Sequence, residues 1–216
     1  KNLDYIGQHK KGEGVFWIYG DSLSYQFYES FSKTQPEFCN TQFKMCNVSY
    51  NWIYPKTLYE LTQTCNEVKL EVPKVLHCLR EVTNKPNMVD KNSVLLFNAG
   101  AHYVKTTSFA QYQAAISEIA KVLSEEFAGK AIWKSTTAMH DQTATIMGSF
   151  RRFNTNQRVK LFNAYSNEAM CSAGISFLDI YPISASFPRG TMDGIHYIAE
   201  VFHPVEELLV GYFSHE

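Results

Sequence analysis

Several features that would assign a function class at once are missing from this sequence of 216 residues. No apolar run approaches the roughly 18 residues that a membrane-spanning helix needs, and the first residues, KNLDYIGQHKKGEG, lack the apolar core of a signal peptide. There is no glycine-rich phosphate loop and no dinucleotide-binding fingerprint. We therefore expect no membrane span within the chain and no cofactor.

Excess charge of either sign is also missing. The chain has 20 Lys and Arg against 21 Asp and Glu, a formal net charge of −1. Basic residues are adjacent only at Lys10 and Lys11 and at Arg151 and Arg152, so no basic stripe is available for a phosphate backbone. We therefore exclude nucleic acid as a partner.

Cysteine is scarce but clustered. Four of the five cysteines, Cys39, Cys46, Cys65 and Cys78, lie within 40 residues, and the fifth is Cys171. There is no Cys-x-x-Cys pair and no histidine at zinc-ligand spacing, so we expect no metal site. The same stretch contains a glycosylation sequon at residues 47–49.

These signals favour at least one disulfide within residues 39–78 and a secreted or secretory-pathway location. Buried thiols in a cytoplasmic protein are the alternative. Because the chain begins at Lys1 and not at methionine, an upstream signal or anchor also stays open.

Hydrophobic periodicity indicates the fold class. Short apolar runs typical of strands covered on both faces occur at Val15–Tyr19, Val94–Phe97, 131–135 and 175–180. Between and after them lie helical patterns, at 109–127, 153–173 and 198–212. This alternation, in a chain short for two domains, predicts one domain spanning residues 1–216. Its expected fold is a three-layer α/β/α sandwich with a central, mostly parallel sheet.

The region 38–92 is harder to interpret. FKMCNVSYNW is compatible with a second strand, and residues 75–82 with a short helix. Cysteine pairing can override local propensity here, so the order of elements stays open.

One stretch, VFWIYGDSLSYQFYESF, places a serine where a strand gives way to a helix. Ser22 then lies at the carboxyl edge of the sheet, where α/β proteins bind ligands. A serine hydroxyl needs a histidine to take its proton and a carboxylate to orient that histidine. The alternative is an ordinary turn in which Asp21 or Ser22 only caps the helix.

The partners that such a serine needs follow other strands. Asp193 and His196 lie three residues apart after the last strand, so that the carboxylate can reach one ring nitrogen while the other faces Ser22. Asn98 directly follows Val94–Phe97, where its amide can donate to an oxyanion together with the Ser22 backbone N–H.

Three segments in this order, GDSLSYQFYESF, LLFNAGAHY and DGIHY, resemble the SGNH/GDSL hydrolase superfamily and particularly its PC-esterase branch. That branch includes the trichome-birefringence-like and neurexophilin-and-PC-esterase domain proteins. The resemblance implies a flavodoxin-like fold. It also implies a nucleophile at Ser22, a base at His196, an orienting acid at Asp193, and oxyanion donors at Ser22 and Asn98.

Two departures accompany this resemblance. The glycine that usually stands two residues before the block-three asparagine is missing here, and the second-block oxyanion glycine cannot be assigned within residues 38–92.

The branch that the sequence resembles transfers or removes acetyl groups on glycans. We therefore expect an acylated carbohydrate or another small ester as the substrate. The alternatives are a lipid or small-ester esterase, and a non-catalytic binding module on the same fold. Residues near the predicted strand ends are candidate substrate contacts, with core packing as the alternative for the aromatic ones: Asp21, Gly100, His102, Tyr103, Trp133, Lys134, His140, Arg189 and Tyr197.

Overall fold

The computed structural model describes residues 9–49, 70–140, 154–191 and 193–214. It contains a parallel sheet of five strands in the order β2-β1-β3-β4-β5. The strands are β1 (Val15–Tyr19), β2 (Met45–Ser49), β3 (Val94–Phe97), β4 (Lys130–Lys134) and β5 (Ser176–Leu178). The α-helices are α1 (Ser22–Thr34), α2 (Pro36–Gln42), α3 (Val72–Thr83), α4 (Ala101–Thr106), α5 (Phe109–Lys121), α6 (Asn156–Ser172), α7 (Tyr181–Ser186) and α8 (His203–Ser214).

Successive strand residues enter opposite layers of the core, as the two-residue period of a strand requires. On β1, Phe16 and Ile18 pack in the layer that also contains apolar side chains of α1, α2 and α8. Trp17 packs in the other layer, with side chains of α3, α5 and α6. Helices thus cover both faces of the sheet, and the predicted three-layer α/β/α fold is confirmed.

Some predicted boundaries differ for identifiable reasons. The helix predicted at 109–127 is an α-helix only as far as Lys121, the last residue of α5. A π-helical turn, Val122–Glu126, follows it, and the Phe127 N–H donates to the Val122 carbonyl at 3.1 Å. The last helix begins at His203 instead of residue 198, after a single 3-10 turn, Ala199–Val201. Pro204 lacks a backbone N–H and therefore fits the first turn of α8.

The order of the strands fixes where a ligand can bind. From β1 the chain moves to β2 on one side, and β3 then pairs with β1 on the other side. This reversal creates a crevice at the carboxyl ends of β1 and β3. Tyr19 and Phe97 are paired in register there, so the segments that follow them, with Ser22 and Asn98, start side by side.

A disulfide joins α2 to β2 through Cys39 and Cys46, whose Cα atoms are 5.6 Å apart. The prediction of at least one disulfide in this region is confirmed, while Cys65 lies outside the described residues. Among the helices that the structure describes, none is long and apolar enough to cross a membrane.

Candidate active site

Ser22 is the first residue of α1, directly beyond the carboxyl end of β1. The side chain of Asp21 caps this helix by accepting a hydrogen bond from the Leu23 N–H at 3.0 Å. The capping role considered for this turn is therefore real, and Asp21 performs it. The Ser22 hydroxyl is left for another partner, and its Oγ lies 2.9 Å from His196 Nε2.

His196 is oriented by Asp193. The Nδ1 atom of His196 lies 2.7 Å from Asp193 Oδ2. An ionised carboxylate only accepts hydrogen bonds, so Nδ1 carries the proton and Nε2 is the acceptor for the Ser22 hydroxyl. Ser22, His196 and Asp193 are therefore connected by a continuous series of hydrogen bonds, in the geometry that a serine triad requires.

The loop that carries Asp193 and His196 is held by hydrogen bonds to the other carboxylate oxygen of Asp193, Oδ1. Asp193 Oδ1 accepts hydrogen bonds from the backbone N–H groups of Ile195 and His196 at 2.9 and 2.8 Å, and from Thr191 Oγ1 at 3.2 Å. Gly194 makes the turn with a φ of 83°, a conformation that favours glycine. This tight turn explains how two residues only three positions apart can face each other.

These hydrogen bonds also determine the charge of the acid. Burial alone would raise the pKa of Asp193, but the hydrogen bonds from the His196 ring, from the backbone N–H groups of His196 and Ile195, and the charge of His196 outweigh it. The net result is a pKa well below the usual range of an aspartate. Asp193 therefore stays ionised and can stabilise an imidazolium at His196.

Asn98 occupies the position expected of an oxyanion donor. It follows β3, it is fully buried, and its Oδ1 accepts a hydrogen bond from Ser24 Oγ at 3.0 Å. Its Nδ2 has no hydrogen-bond partner within the described part of the chain. The amide donor thus lies near the first turn of α1 with its hydrogen-bonding capacity unused.

Two buried ionisable side chains, Asp21 and Lys134, lie close enough to interact electrostatically. Asp21 and Lys134 are 3% and 0% exposed. Burial lowers the pKa of Lys134 to about 8, against the opposing effect of Asp21, and burial raises the pKa of Asp21 despite Lys134 and three backbone N–H groups. Each charge partly offsets the cost of burying the other. Neither side chain reaches the surface, and the predicted contact of each with substrate stays a prediction.

His102 lies on α4, close enough to His196 for the two rings to interact electrostatically. Burial, and then the charges of Lys105 and His196, lower the pKa of His102 to about 3. His102 is therefore neutral at physiological pH and does not compete with His196 for a proton. Its predicted contact with substrate stays a prediction.

His140 and Tyr197 support the loop that carries Asp193 and His196. The His140 backbone N–H donates to the Gly194 carbonyl at 2.8 Å, and its Nε2 lies 3.0 Å from the Ser184 carbonyl oxygen. Tyr197 is buried, and its hydroxyl donates to the Ala138 carbonyl at 2.8 Å. Tyr197 therefore has a structural contact in this loop, and its predicted contact with substrate stays a prediction.

The other predicted substrate contacts divide by exposure. Trp133 lies inside β4 and packs edge-to-face on Phe97, and Tyr103 packs on Tyr112, so both are core residues. This confirms the core-packing alternative for them. Arg189 is exposed in the turn that precedes the loop that carries Asp193 and His196.

Gly100 has a close-packing role. A Cβ atom placed on it would lie 1.6 Å from Thr136 Oγ1 and 2.7 Å from Thr136 Cβ. Thr136 cannot easily move, because Asn163 holds both its backbone N–H and its carbonyl, at 2.9 and 2.8 Å. Glycine at this position lets the segment after Asn98 lie against the end of β4.

We expect Gly100→Ala to destabilise the protein by about 3 kcal/mol, because the added methyl group overpacks this contact. The matched control is Gly211→Ala in α8, where an added Cβ meets nothing within 4 Å. The control should be unchanged or stabilised by up to about 1 kcal/mol. Thermal denaturation measures both variants, and equal stability of Gly100→Ala and wild type would contradict the packing described here.

Sequence reasoning missed two contributors to the site. The Ser24 hydroxyl donates a hydrogen bond to the Asn98 amide oxygen. Thr191 Oγ1 accepts from the Gly194 N–H at 3.0 Å, within the loop that carries Asp193 and His196. The only sequence signal for Ser24 is a second serine two positions after the nucleophile. Residues 38–92 contain no glycine, so no glycine there can supply the second-block oxyanion donor.

Comparisons with known proteins place this arrangement on a recognised fold. No protein-family model and no curated protein matches the chain. Among solved structures, a GDSL-like lipase from Bacteroides thetaiotaomicron is similar with a TM-score of 0.58 at 19% identity, over 93% of this chain and 87% of that one. An acetyl xylan esterase variant from Geobacillus stearothermophilus gives 0.57 at 11% identity, over 95% and 97%.

A lipase/acylhydrolase from Enterococcus faecalis is similar with a TM-score of 0.57 at 12% identity, over 92% of this chain and 94% of that one. Identities this low show the fold and do not by themselves show the activity. The chain therefore has the α/β/α fold that GDSL-like lipases and acetyl xylan esterases share.

Proposed function

We propose that the protein is a serine-dependent esterase or O-acyltransferase that acts on acetyl esters of carbohydrates. The observation that carries this proposal is the hydrogen-bonded chain from Ser22 Oγ through His196 to Asp193. It lies at the reversal point of the sheet, next to an amide donor with unused hydrogen-bonding capacity. A buried donor without a hydrogen-bond partner costs stability and therefore calls for an explanation, which a role in binding an oxyanion supplies.

The geometry supports acyl transfer in two half-reactions. Ser22 Oγ attacks the ester carbonyl carbon while His196 Nε2 takes the hydroxyl proton, and the carbonyl oxygen becomes an oxyanion that Asn98 Nδ2 and the Ser22 N–H stabilise. The intermediate collapses, the C–O bond to the alcohol breaks, and His196 returns the proton to the leaving oxygen. The acyl group remains on Ser22.

The second half-reaction uses the same residues. His196 removes a proton from an acceptor hydroxyl, which attacks the acyl-serine, and the proton then passes back to Ser22 as the new ester or acid departs. If water is the acceptor the enzyme is an esterase. If a sugar hydroxyl is the acceptor it is an O-acyltransferase.

Three observations support a small acyl group and a carbohydrate substrate. Acetyl xylan esterases are among the proteins that share the fold. The segments that flank the site, NAGAHY and TMDGIHY, carry mostly small and polar residues and lack the runs of large aliphatic side chains expected of a lipid site. Exposed Arg189 is available for acidic sugars or carboxylates.

A chain-length series tests the proposal. Hydrolysis rates of p-nitrophenyl acetate, butyrate and octanoate are measured beside release of acetate from an acetylated oligosaccharide, with and without an unacetylated sugar as acceptor. We expect kcat/KM to fall from acetate to octanoate, acetate release from the oligosaccharide, and loss of all turnover in Ser22→Ala.

Different outcomes separate the alternatives. Faster cleavage of octanoate than of acetate would indicate lipid chemistry. Wild-type turnover that does not exceed the uncatalysed background with any of these esters would indicate a binding module with an idle site. An acetylated acceptor sugar among the products would identify the transferase, and its absence the esterase.

A further inference from the structure

The buried contact between Ser24 and Asn98 links the nucleophile helix to the oxyanion donor. Ser24 is 1% exposed and Asn98 is 0% exposed, and Ser24 Oγ donates to Asn98 Oδ1 at 3.0 Å. Ser24 lies on α1, two residues beyond Ser22, and its own N–H donates to the Asp21 carbonyl at 3.0 Å. The hydroxyl is thus held by the same helical turn that presents the nucleophile.

An asparagine amide has two ends of opposite hydrogen-bonding character. If the side chain rotates by half a turn about its last bond, the carbonyl oxygen takes the place of the N–H donors. In that orientation the amide of Asn98 would repel a developing oxyanion. In the productive orientation its Oδ1 faces a buried region, where an acceptor without a partner is costly. The Ser24 hydroxyl is the donor that removes this cost.

The contact also strengthens the donor. An amide whose oxygen accepts a hydrogen bond is polarised, so its N–H group donates more strongly in a site of low dielectric. Asn98 Nδ2, the other end of this amide, is buried without a hydrogen-bond partner among the described residues, and it is the atom to which we assign the oxyanion.

Gly20 gives this contact its room. A Cβ atom on Gly20 would lie 2.6 Å from Ser24 Oγ, 2.9 Å from the Asn98 carbonyl oxygen and 3.1 Å from Asn98 Oδ1. A larger residue would therefore push Ser24 and Asn98 apart. Gly20, Ser22 and Ser24 all occur within residues 20–24, so one short segment positions both Ser22 and the contact between Ser24 and Asn98.

We propose that Ser24 is a positioning residue that holds the Asn98 amide with its N–H group toward the reacting carbonyl oxygen and so stabilises the oxyanion. This inference rests on the proposed acyl-transfer function. Ser24 touches no reacting atom, so its effect passes entirely through Asn98. It predicts a change in kcat with little change in KM, because the oxyanion exists only in the transition state and not in the bound ester.

The test uses an isosteric pair and a double-mutant cycle, with p-nitrophenyl acetate as the substrate. Ser24→Thr keeps the hydroxyl and adds a methyl group. Ser24→Val has the same shape as the threonine variant but a second methyl group in place of the hydroxyl. We expect Ser24→Val and Ser24→Ala to lower kcat by about tenfold with KM within about twofold of wild type, and Ser24→Thr to recover most of the loss.

The double-mutant cycle distinguishes an effect of Ser24 that passes through Asn98 from a non-specific loss of activity. Asn98→Ala should lower kcat by about 100- to 1,000-fold, as loss of one oxyanion donor does. In that background Ser24→Ala should cause no further loss, since there is no amide left to orient. Thermal denaturation of each variant reports any change in folding separately from kcat.

Two results would overturn the inference. One is a tenfold loss from Ser24→Ala that is retained in the Asn98→Ala background, which would show that Ser24 does not act through the amide. The other is normal kcat in folded Ser24→Ala. If Ser24→Thr does not fold, the cycle of Ser24→Ala and Asn98→Ala still shows whether Ser24 acts through Asn98. Wild-type protein without Ser22-dependent turnover would overturn the proposed function itself and this inference with it, a result distinct from both.

Discussion

Ser22→Ala is expected to lower kcat by about a millionfold while the protein remains folded, because loss of a triad nucleophile leaves only binding and oxyanion stabilisation. The hydroxyl contributes little to stability in this structure. Helix α1 is capped by the Asp21 carboxylate and not by Ser22, and the recorded partner of the hydroxyl is His196 Nε2. Circular dichroism and thermal denaturation should therefore match wild type while ester turnover disappears.

Ser32→Ala is the matched control. Ser32 lies on the same helix, is exposed, and its hydroxyl donates to the Glu29 carbonyl at 3.2 Å. It is expected to turn over substrate at the wild-type rate. If Ser22→Ala keeps wild-type turnover, Ser22 is not the nucleophile. If it loses turnover only because it unfolds, the hydroxyl has a structural role that the contacts do not show.

The second large effect is expected at His196. His196→Ala should cost nearly as much as Ser22→Ala, because without a base the hydroxyl stays protonated and the two residues act as a unit. The double variant should be no slower than either single one. Asp193→Asn should retain more activity, with a loss of about 10,000-fold, since it removes the orienting charge but leaves nucleophile and base in place.

His77→Ala controls for the removal of an imidazole ring. The His77 side chain is 74% exposed on α3 and faces Glu81 on the surface at 3.6 Å. It should have no effect on kcat. Turnover in His196→Ala equal to that of the His77 control would contradict the assignment of the base.

The strands and the contact between Asp193 and His196 could be predicted because they depend on local pattern. Val15–Tyr19 and Val94–Phe97 are strands with the predicted bounds, since a short apolar run closed by small polar residues has few other uses. Asp193 and His196 were close in sequence, and one tight turn through Gly194 is enough to bring them together.

The errors concern residues whose environment depends on distant parts of the chain. Lys134 ends β4 and is predicted as a substrate contact, and its position in the sequence does not show that it is buried, since lysines are usually exposed. The α/β/α layers close over it instead, next to Asp21. Trp133 precedes it by one position and therefore faces the opposite layer, against Phe97. Position near a strand end does not reveal which side chains the next layer covers.

Ser24 escaped prediction for the same reason. Its partner, Asn98, lies 74 residues away, and nothing in the spacing of two serines indicates such a contact. The bounds of the helices also depended on capping groups, as at α6, where Thr155 accepts from the Arg158 N–H at 3.3 Å and sets the first turn.

The most direct test of the central claim, that Ser22 is an activated nucleophile, is labelling with a fluorophosphonate followed by intact-mass measurement and peptide mapping. This probe reacts with a serine only when a base and an oxyanion site activate it. We predict one adduct per chain, on the peptide that contains Ser22, absent in Ser22→Ala and strongly slowed in His196→Ala. An adduct on another residue, or labelling of Ser22→Ala at the wild-type rate, would contradict the account.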